Sequence, residues 1–325
     1  MSARQEYQVV VTEKEKAELL PAEHSGQPLA TDEVEGRTLA TVISAGTELA
    51  WAYTGEKFPA HPGYASVFEI ERVGASVKDL KAGDRVFHSG PHRSFQRAKR
   101  ESVVPVPEGL SPRQAVMTRM LGVTYATLST TVARPPAKVV VMGLGLVGNL
   151  GAQNFRAGGY EVLAVDPDPK KRGFAETLGI ATREKAPLDD PNWAGQTSLV
   201  LECSGHEAAG LDGCNLVRKR GEVVQVGAPW KKKTDLSAHA VFHAVFHKFV
   251  VLRSGWEWEV PNQPTDFRSG SHNEHYAAGM RWIKDGRVRV DSLIQTRAPK
   301  DCQSCYQELL ANKCSTLAIV LDWEK

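Results

Sequence analysis

A glycine-rich segment lies near the middle of the chain, directly after the apolar residues 139–142. It reads Gly143-Leu144-Gly145-Leu146-Val147-Gly148 and precedes a segment of helical character. The spacing G-x-G-x-x-G between a buried strand and a helix is typical of a dinucleotide-binding turn. Its first glycine permits the turn, its second lets a pyrophosphate approach the backbone, and its third lets helix and strand pack closely. We therefore predict that this segment binds a diphosphate at the N-terminus of a helix.

Asp166 stands eighteen residues after Gly148, at the end of the next apolar run. A carboxylate at this point can accept hydrogen bonds from the ribose hydroxyls of the adenosine half, and it repels a 2′-phosphate. The sequence therefore favours NAD(H) over NADP(H). Lys170, Lys171 and Arg172 follow closely. These basic residues either fold back to hold a 2′-phosphate or form a solvated first helical turn.

The predicted strands and helices that must position these residues divide the chain into two parts with different patterns. Residues 1 to about 120 read as short strands broken by Gly and Pro turns, which indicates a β-rich domain. After Arg134-Pro135-Pro136, apolar runs alternate with helical segments, which indicates a parallel sheet of an α/β protein. The predicted strands of this sheet are 139–142, 161–165, 199–202 and 222–226, and the predicted helices of the chain are 111–132, 146–157, 172–178, 276–284 and 302–311.

Composition excludes several classes of protein. The 325 residues carry 40 basic and 38 acidic side chains, a formal charge of +2, which provides no field to gather nucleic acid or anionic lipid. Five cysteines in an odd set make a poor disulfide framework and favour a reducing compartment. The first residues have no apolar core of a signal peptide, and no window approaches the ~18 apolar residues of a membrane span. We expect a cytoplasmic protein without nucleic-acid or membrane partners.

The chain resembles the medium-chain dehydrogenases and reductases, the superfamily of zinc alcohol dehydrogenases and quinone reductases, over nearly all of its length. The residues that carry this likeness, besides the glycine loop, are Ile43-Ser44-Ala45-Gly46-Thr47-Glu48, Pro62-Gly63-Tyr64-Ala65, Val73-Gly74, Lys81-Ala82-Gly83-Asp84-Arg85-Val86, Val106-Pro107-Glu108-Gly109, Gly122-Val123-Thr124-Tyr125-Ala126, Glu202-Cys203-Ser204-Gly205 and Gly221-Glu222-Val223-Val224-Gln225-Val226-Gly227.

The resemblance implies two domains. A β-rich, GroES-like catalytic domain would comprise residues 1–121, completed by 260–325. A Rossmann domain, a doubly wound parallel sheet, would comprise residues 122–259. The resemblance also implies that Ser204 and Gly227 join the cofactor-binding residues, and that the protein forms a homodimer through the Rossmann sheet.

The departures from this family concern zinc. Zinc-dependent members carry a Cys where this chain has Ala45, a His-Glu pair where it has Tyr64 and Ala65, and in many cases a further Cys near Leu121. The four-cysteine lobe of the family would lie in residues 87–102, which contain no Cys. A catalytic zinc needs about three protein ligands, so we predict a zinc-free member. It is similar to the subgroup around the 3-hydroxyethyl bacteriochlorophyllide dehydrogenases, from which we carry over no substrate.

Two other groups of residues, one of cysteines and one of histidines, have side chains that can bind metal ions. Cys302 and Cys305 share a helix face, with Cys314 further on, and His239, His243 and His247 recur every four residues. Neither set completes the four ligands of a usual zinc site. We interpret the cysteines as incidental thiols and the histidines as part of a mixed polar helix face.

Without zinc, hydrogen-bond donors must manage the substrate oxygen. Thr47 falls where relatives place a relay hydroxyl, and Tyr64 stands where a ligand His would be. His92 lies where relatives place a side chain of the substrate pocket, and the usual pKa range of imidazole suits acid–base chemistry. The structural alternatives are a turn hydroxyl for Thr47, a packed aromatic ring for Tyr64 and a surface-loop imidazole for His92.

The resemblance favours an NAD(H)-dependent oxidoreductase that interconverts a secondary alcohol and a ketone. The alcohol would be a polyol, a sugar-like ring or a larger hydroxylated metabolite. An NADPH-dependent enone or quinone reductase is the second hypothesis, because zinc-free members are often of that type. A protein of this fold that binds the nucleotide without turnover is the third.

Overall fold

The computed structural model describes residues 5–23, 27–268 and 270–325. Its strands are β1 (Glu6–Glu13), β2 (Lys16–Ala22), β3 (Glu33–Val42), β4 (Ser66–Val73), β5 (Arg85–His88), β6 (Phe95–Lys99), β7 (Val103–Pro105), β8 (Lys138–Met142), β9 (Glu161–Val165), β10 (Ala181–Arg183), β11 (Thr197–Glu202), β12 (Val217–Gln225), β13 (Val251–Ser254), β14 (Ile294–Arg297) and β15 (Ala318–Asp322). Its α-helices are α1 (Ala45–Glu48), α2 (Pro112–Ala115), α3 (Thr118–Thr130), α4 (Leu146–Ala157), α5 (Pro169–Thr177), α6 (Glu207–Leu216), α7 (Ala238–Lys248), α8 (His272–Lys284) and α9 (Cys302–Leu310).

The described residues group into two units. The first unit takes its residues from Met1–Arg119, Tyr276–Lys284 and Val290–Lys325, and the second from Met120–His275 and Asp285–Arg289. The division expected from the resemblance, at 121/122 and 259/260, differs from this grouping mainly in residues 260–275. Those residues belong to the second unit, where the His275 ring packs on Tyr125 and the His272 ring on Trp258.

The second unit is built on a parallel sheet with the strand order β10-β9-β8-β11-β12-β13. This is the strand order of a doubly wound dinucleotide-binding sheet. The chain adds β9 and β10 on one side of β8, and then adds β11, β12 and β13 on the other side. Successive residues of β8 alternate between two apolar clusters, Val139 and Val141 in one and Val140 and Met142 in the other. The uninterrupted apolar run of β8 therefore reflects burial on both faces.

The first unit is a mainly antiparallel β structure. Its seven-stranded sheet has the order β14-β15-β3-β4-β5-β7, with β6 also paired to β3, and the hairpin β1-β2 forms a separate sheet. The end of β3 lies beside the start of β4, because Thr41 pairs with Ser66. The segment that follows β3 and the segment that precedes β4 are thereby brought to the same end of these two strands. The mixed α/β class predicted from the sequence is confirmed.

Several predicted elements differ in their ends. The helix expected at 111–132 is divided into α2 and α3, and α2 begins with a reciprocal capping box between Ser111 and Gln114. Helix α5 begins at Pro169, earlier than the predicted 172, because the Asp168 carboxylate accepts a hydrogen bond from the Lys170 backbone N–H. Strand β12 begins at Val217 rather than 222, and its first part contains Arg220 with a positive φ of 62°.

The C-terminal cysteines lie inside the first unit. Cys302, Cys305 and Cys314 form no disulfide among the described residues and lie in an apolar cluster with Val9, Val11 and others. Burial raises the pKa of Cys302 to about 11 and that of Cys305 to about 12. Cys302 and Cys305 are therefore protonated at neutral pH, and a protonated thiol is a poor metal ligand.

The histidines of α7 share one helix face, as the sequence suggested. The ring centroids of His239 and His243 are 6.1 Å apart, and those of His243 and His247 are 4.2 Å apart. No group of three His, Cys, Asp or Glu residues that could hold a metal ion occurs in residues 5–23, 27–268 and 270–325.

His275 is an acid-sensitive group of the second unit. Its ring is 3% exposed, its centroid is 4.9 Å from that of Tyr125, and neither ring nitrogen has a hydrogen-bond partner among the described residues. Burial, assisted by the neighbouring His272 and opposed by Glu274, lowers the pKa of His275 to about 4. The unfolded chain therefore binds more protons than the folded chain between about pH 6.5 and pH 4.

We predict that stability falls as the pH drops through this window, with a contribution from His275 of up to about 3 kcal/mol. The variant His275→Phe removes the titrating group, so its free energy of unfolding should depend less on pH. Denaturant unfolding at about pH 7 and about pH 4.5 measures the difference. The exposed His61→Gln variant is the control. Equal acid losses in the wild-type chain and in His275→Phe would exclude His275 as the source.

Candidate active site

The glycine loop connects β8 to α4, and its conformation requires glycine at positions 143 and 148. Gly143 has a φ of +90°, and a Cβ at Gly148 would lie 1.7 Å from the Gly143 carbonyl oxygen. A Cβ at Gly145 would meet nothing within 4 Å, and Gly145 is the residue that precedes the first turn of α4. The loop therefore presents an open backbone at a helix N-terminus, where a diphosphate binds. Leu146 and Val147 form the first turn of this helix.

Asp166 follows β9 and is bound to the backbone of the glycine loop. Its Oδ2 accepts a hydrogen bond of 2.7 Å from the Leu144 N–H, and its Oδ1 accepts one of 2.9 Å from the Asp168 N–H. Arg172, the last of the three basic residues, donates from Nη1 to the Asp166 and Pro167 carbonyl oxygens at 2.7 and 3.0 Å. The carboxylate and one guanidinium thus lie at the same turn.

The loop after β11 packs closely against the glycine loop, and the loop after β12 packs closely against the loop after β11. A Cβ at Gly143 would lie 2.8 Å from the Ser204 backbone nitrogen, and a Cβ at Gly227 would lie 2.3 Å from the Gly205 backbone nitrogen. The buried Glu202 holds this turn by accepting hydrogen bonds from the Ser204 and Gly205 N–H groups at 2.8 and 2.9 Å. Burial raises the pKa of Glu202. The carboxyl ends of three neighbouring strands therefore meet, as a nucleotide site of this fold requires.

Thr47 and Tyr64 are brought together in the first unit. The Tyr64 hydroxyl donates a short hydrogen bond to the Ser44 Oγ, and the Thr47 hydroxyl also interacts with the phenol. The buried Arg119 guanidinium lies 4.7 Å from the centroid of the Tyr64 ring. Burial and the charge of Glu48 raise the pKa of Tyr64, against the opposing effect of these neighbours. Tyr64 is therefore a protonated hydrogen-bond donor at neutral pH.

His92 lies in the segment between β5 and β6, where it is 0% exposed. Its Nε2 is 3.0 Å from Glu48 Oε2. The Tyr306 hydroxyl donates to the same oxygen at 2.6 Å, and the Ser44 backbone N–H donates to Glu48 Oε1 at 2.9 Å. His92 is thus a buried group in a carboxylate network rather than a surface-loop histidine.

Gly63 makes the position of His92 feasible. It has a φ of +101°, and a Cβ there would lie 2.4 Å from the His92 backbone nitrogen and 2.8 Å from its Cγ. The backbone N–H of His92 also donates a hydrogen bond of 3.1 Å to the Pro62 carbonyl oxygen. The turn that carries Tyr64 is therefore packed directly against His92.

The network contains residues that the sequence analysis did not name as catalytic candidates. Ser44, Glu48 and Tyr306 are its hydrogen-bonding members, and Arg119 packs on the phenol. The spacing of Ser44 and Glu48 across one turn could have suggested their pairing. The contact between Glu48 and Tyr306, which are 258 positions apart, leaves no local pattern in the sequence.

The positions at which the resemblance would place zinc ligands hold side chains that do not bind zinc. Ala45 has no ligating atom, the Tyr64 hydroxyl is protonated and bound to Ser44, and Ala65 is buried and apolar. These residues do not fit a zinc ion, which prefers Cys, His and carboxylate ligands. Among the described residues, no helix has the length and apolar character needed to cross a bilayer.

Comparisons with known proteins identify dehydrogenases as relatives of this chain. The family model of zinc-binding dehydrogenases matches residues 143–256. An alcohol dehydrogenase of Geobacillus stearothermophilus is 28% identical over 253 residues, covering 62% of this chain and 75% of that protein. The L-galactonate-5-dehydrogenase of Escherichia coli strain K12 is 24% identical over 307 residues, covering 80% of this chain and 83% of that protein.

Among solved structures, galactitol-1-phosphate dehydrogenase from Escherichia coli superimposes with a TM-score of 0.82 at 16% identity, covering 97% of this chain and 99% of that one. Its likeness shows the fold, a GroES-like domain with a Rossmann domain. The chain belongs to the medium-chain dehydrogenase/reductase superfamily, and it is an NAD(P)-dependent dehydrogenase or reductase. At the level of the family, its activity is the oxidoreduction of alcohols.

The open position of Gly145 gives a test of the nucleotide site. We predict that Gly145→Ala folds with an unchanged melting temperature, because its Cβ meets no atom within 4 Å. The same methyl group would obstruct the approach of a diphosphate, so NADH affinity should fall about tenfold or more. Gly173→Ala on α5, which also has open space, is the matched control. Unchanged NADH binding in Gly145→Ala, measured by titration calorimetry, would contradict this assignment.

Proposed function

We propose that this protein is a zinc-independent, NAD(H)-dependent oxidoreductase that interconverts a secondary alcohol and a ketone. A polyol, a sugar-like ring or a larger hydroxylated metabolite is the substrate class. The single observation that carries the proposal is the hydroxyl cluster of Ser44, Thr47 and Tyr64, in which Tyr64 stands where zinc-dependent relatives carry a ligand His. Relatives that act on alcohols and on a sugar acid support the substrate class.

The nicotinamide, when bound, gives or takes the hydride. The residues of this chain then have to orient the substrate oxygen and move one proton. Tyr64 donates its hydrogen bond to a ketone oxygen in place of the Ser44 Oγ, because burial and the Glu48 charge raise the pKa of its phenol and keep it protonated. Thr47 lies near enough to the phenol to lower its pKa and offers a second hydroxyl at the same place. His92 supplies an imidazole for the proton, held by Glu48.

NAD(H) is the proposed cofactor because the Asp166 carboxylate lies at the turn after β9, where it repels a 2′-phosphate. The one observation in favour of NADPH, and so of an enone or quinone reductase, is Arg172. Its guanidinium binds the backbone of the same turn. A dissociation constant for NADPH below that for NADH would reverse the preference.

We further propose that the protein is a cytoplasmic homodimer. Its five cysteines, all of which the structure describes, form no disulfide, in keeping with a reducing compartment. Strand β13 is one of the two edge strands of the parallel sheet, and its Val251 and Leu252 are exposed. An unprotected apolar edge strand favours pairing with another strand, here β13 of a second copy.

We predict that the wild-type chain reduces NAD⁺ with members of a panel of secondary alcohols, and that treatment with a chelator leaves the rate unchanged. Formation of NADH is followed by its near-ultraviolet absorbance. Tyr64→Phe should lower kcat by about 10²- to 10⁴-fold with a small change in KM, because the donor to the substrate oxygen is lost. The exposed Tyr7→Phe is the control.

Loss of turnover on chelation, with recovery on addition of Zn²⁺, would refute the zinc-independent part of this proposal. NADH binding without hydride transfer to any ketone would favour a protein that binds the nucleotide without turnover.

The dimer is tested by placing a charge on the exposed edge. Leu252→Lys should weaken association, because a lysine on an edge strand opposes strand pairing. Light scattering after size-exclusion chromatography should show a dimer mass for the wild-type chain and a monomer mass for the variant. Val132→Lys, at an exposed position outside β13, should remain dimeric. A wild-type monomer at all concentrations would contradict the assignment.

A further inference from the structure

The carboxylate of Glu48 is a buried acceptor surrounded by donors. Glu48 is 0% exposed, and its two oxygens receive hydrogen bonds from the Ser44 N–H and the Tyr306 hydroxyl. The remaining contact is His92 Nε2, 3.0 Å from Oε2. A carboxylate only accepts hydrogen bonds, so the proton of this contact belongs to the imidazole.

This arrangement decides which nitrogen of His92 carries the lone pair. A neutral imidazole with a proton on Nε2 has a lone pair on Nδ1. His92 Nδ1 is buried and has no hydrogen-bond partner in the part of the chain that the structure describes. A buried polar atom of this kind costs stability unless a donor meets it. Gly63, which packs against the ring, has no side chain to satisfy it.

We infer that Glu48 and Tyr306 hold His92 with its proton on Nε2, so that Nδ1 is the proton acceptor of this enzyme in alcohol oxidation. The inference rests on the proposed function. The partner of Nδ1 is a hydroxyl group, either that of the alcohol itself or that of a water molecule bound beside it. Glu48 and Tyr306 are positioning residues, which act on the substrate only through His92.

The proposed step balances. In oxidation, the C–H bond of the alcohol breaks as its hydride passes to NAD⁺, the O–H bond breaks, and its proton forms the Nδ1–H bond of His92. The C–O single bond becomes a double bond, and the imidazolium is stabilised by the Glu48 carboxylate. In reduction, the same proton returns to the oxygen. A carboxylate that fixes the tautomer of an imidazole base in this way is a general device of acid–base catalysis.

The opposite tautomer can be produced by a nearly isosteric change. In Glu48→Gln, the side-chain amide can donate to Nε2, which would place the imidazole proton on Nδ1. Tyr306→Phe removes only the third donor. Tyr53→Phe is the matched control, because the Tyr53 ring stacks on Tyr306 at a centroid distance of 5.0 Å and its hydroxyl is not among the donors to Glu48.

The first measurement is ¹⁵N NMR of the full chain labelled at histidine, with His92→Asn used to assign the His92 signals. The wild-type chain and Tyr53→Phe should show His92 with its proton on Nε2, and Glu48→Gln should show it on Nδ1. A wild-type Nδ1–H tautomer would overturn the inference, whether or not the variants fold. This readout needs no substrate, so it separates the inference from the proposed function.

The second measurement is the pH dependence of kcat for alcohol oxidation. Glu48→Gln should lower kcat by about 10²- to 10⁴-fold and change the pH profile, because the imidazole then carries its proton on Nδ1 and offers no acceptor there. Tyr306→Phe should lower kcat roughly tenfold, with KM little changed. Pure structural damage would raise KM or lower the folded fraction without moving the pH profile, and pH profiles identical to that of the wild-type chain would overturn the inference.

The NMR signals also identify the hydroxyl group at Nδ1. If the alcohol itself is the partner, adding NAD⁺ with a slow substrate should shift the Nδ1 resonance. If water is the partner, the resonance should stay in place. A wild-type chain that oxidises no alcohol but carries the Nε2–H tautomer would refute the proposed function and leave the Glu48–His92 pairing intact.

Discussion

The candidate site depends on a single buried carboxylate. Glu48 lies on the one-turn helix α1 and is removed from solvent, which would be costly for an unpaired charge. Its burial is tolerated because donors arrive from three separate parts of the chain: the Ser44 backbone, His92 before β6 and Tyr306 on α9. The sheet that carries β3, β4 and β6 fixes the first two, and the C-terminal helix supplies the third. The site therefore exists only when distant parts of the first unit have folded together.

The nucleotide half depends on a different constraint, the close approach of backbones. A Cβ has no room at three contacts: Gly148 with Gly143, Gly143 with Ser204, and Gly227 with Gly205. The first contact closes the turn between β8 and α4, and the other two join the ends of neighbouring parallel strands. The glycines are therefore required by packing before any ligand binds. Gly145 is different, because the space next to its Cα is open.

This difference explains what could be predicted from the sequence. The glycine loop and Asp166 lie within residues 143–166, and the strands of the Rossmann sheet follow one another along one continuous part of the chain, so their order and spacing indicate their structure. The division of 111–132 into two helices could not be anticipated, because a Ser-Pro start and apolar periodicity are shared by one helix or two. The role of Tyr306 could not be anticipated either, because its partner is 258 positions away. His92 was identified as a candidate, but its complete burial and its carboxylate partner depend on Gly63 and α1.

In the proposed reaction, neutral donors and a fixed negative charge would together take the place of a Lewis acid. A metal cation would favour a phenolate, since a nearby positive charge lowers the pKa of a phenol. In this chain the buried carboxylate and the loss of solvent raise the pKa of Tyr64, which keeps it a donor over a wide range of pH. The same carboxylate lies 3.0 Å from His92 Nε2. In the proposed reaction, one negative charge thus keeps Tyr64 protonated as a donor to the ketone and orients His92 as the acceptor of the alcohol proton.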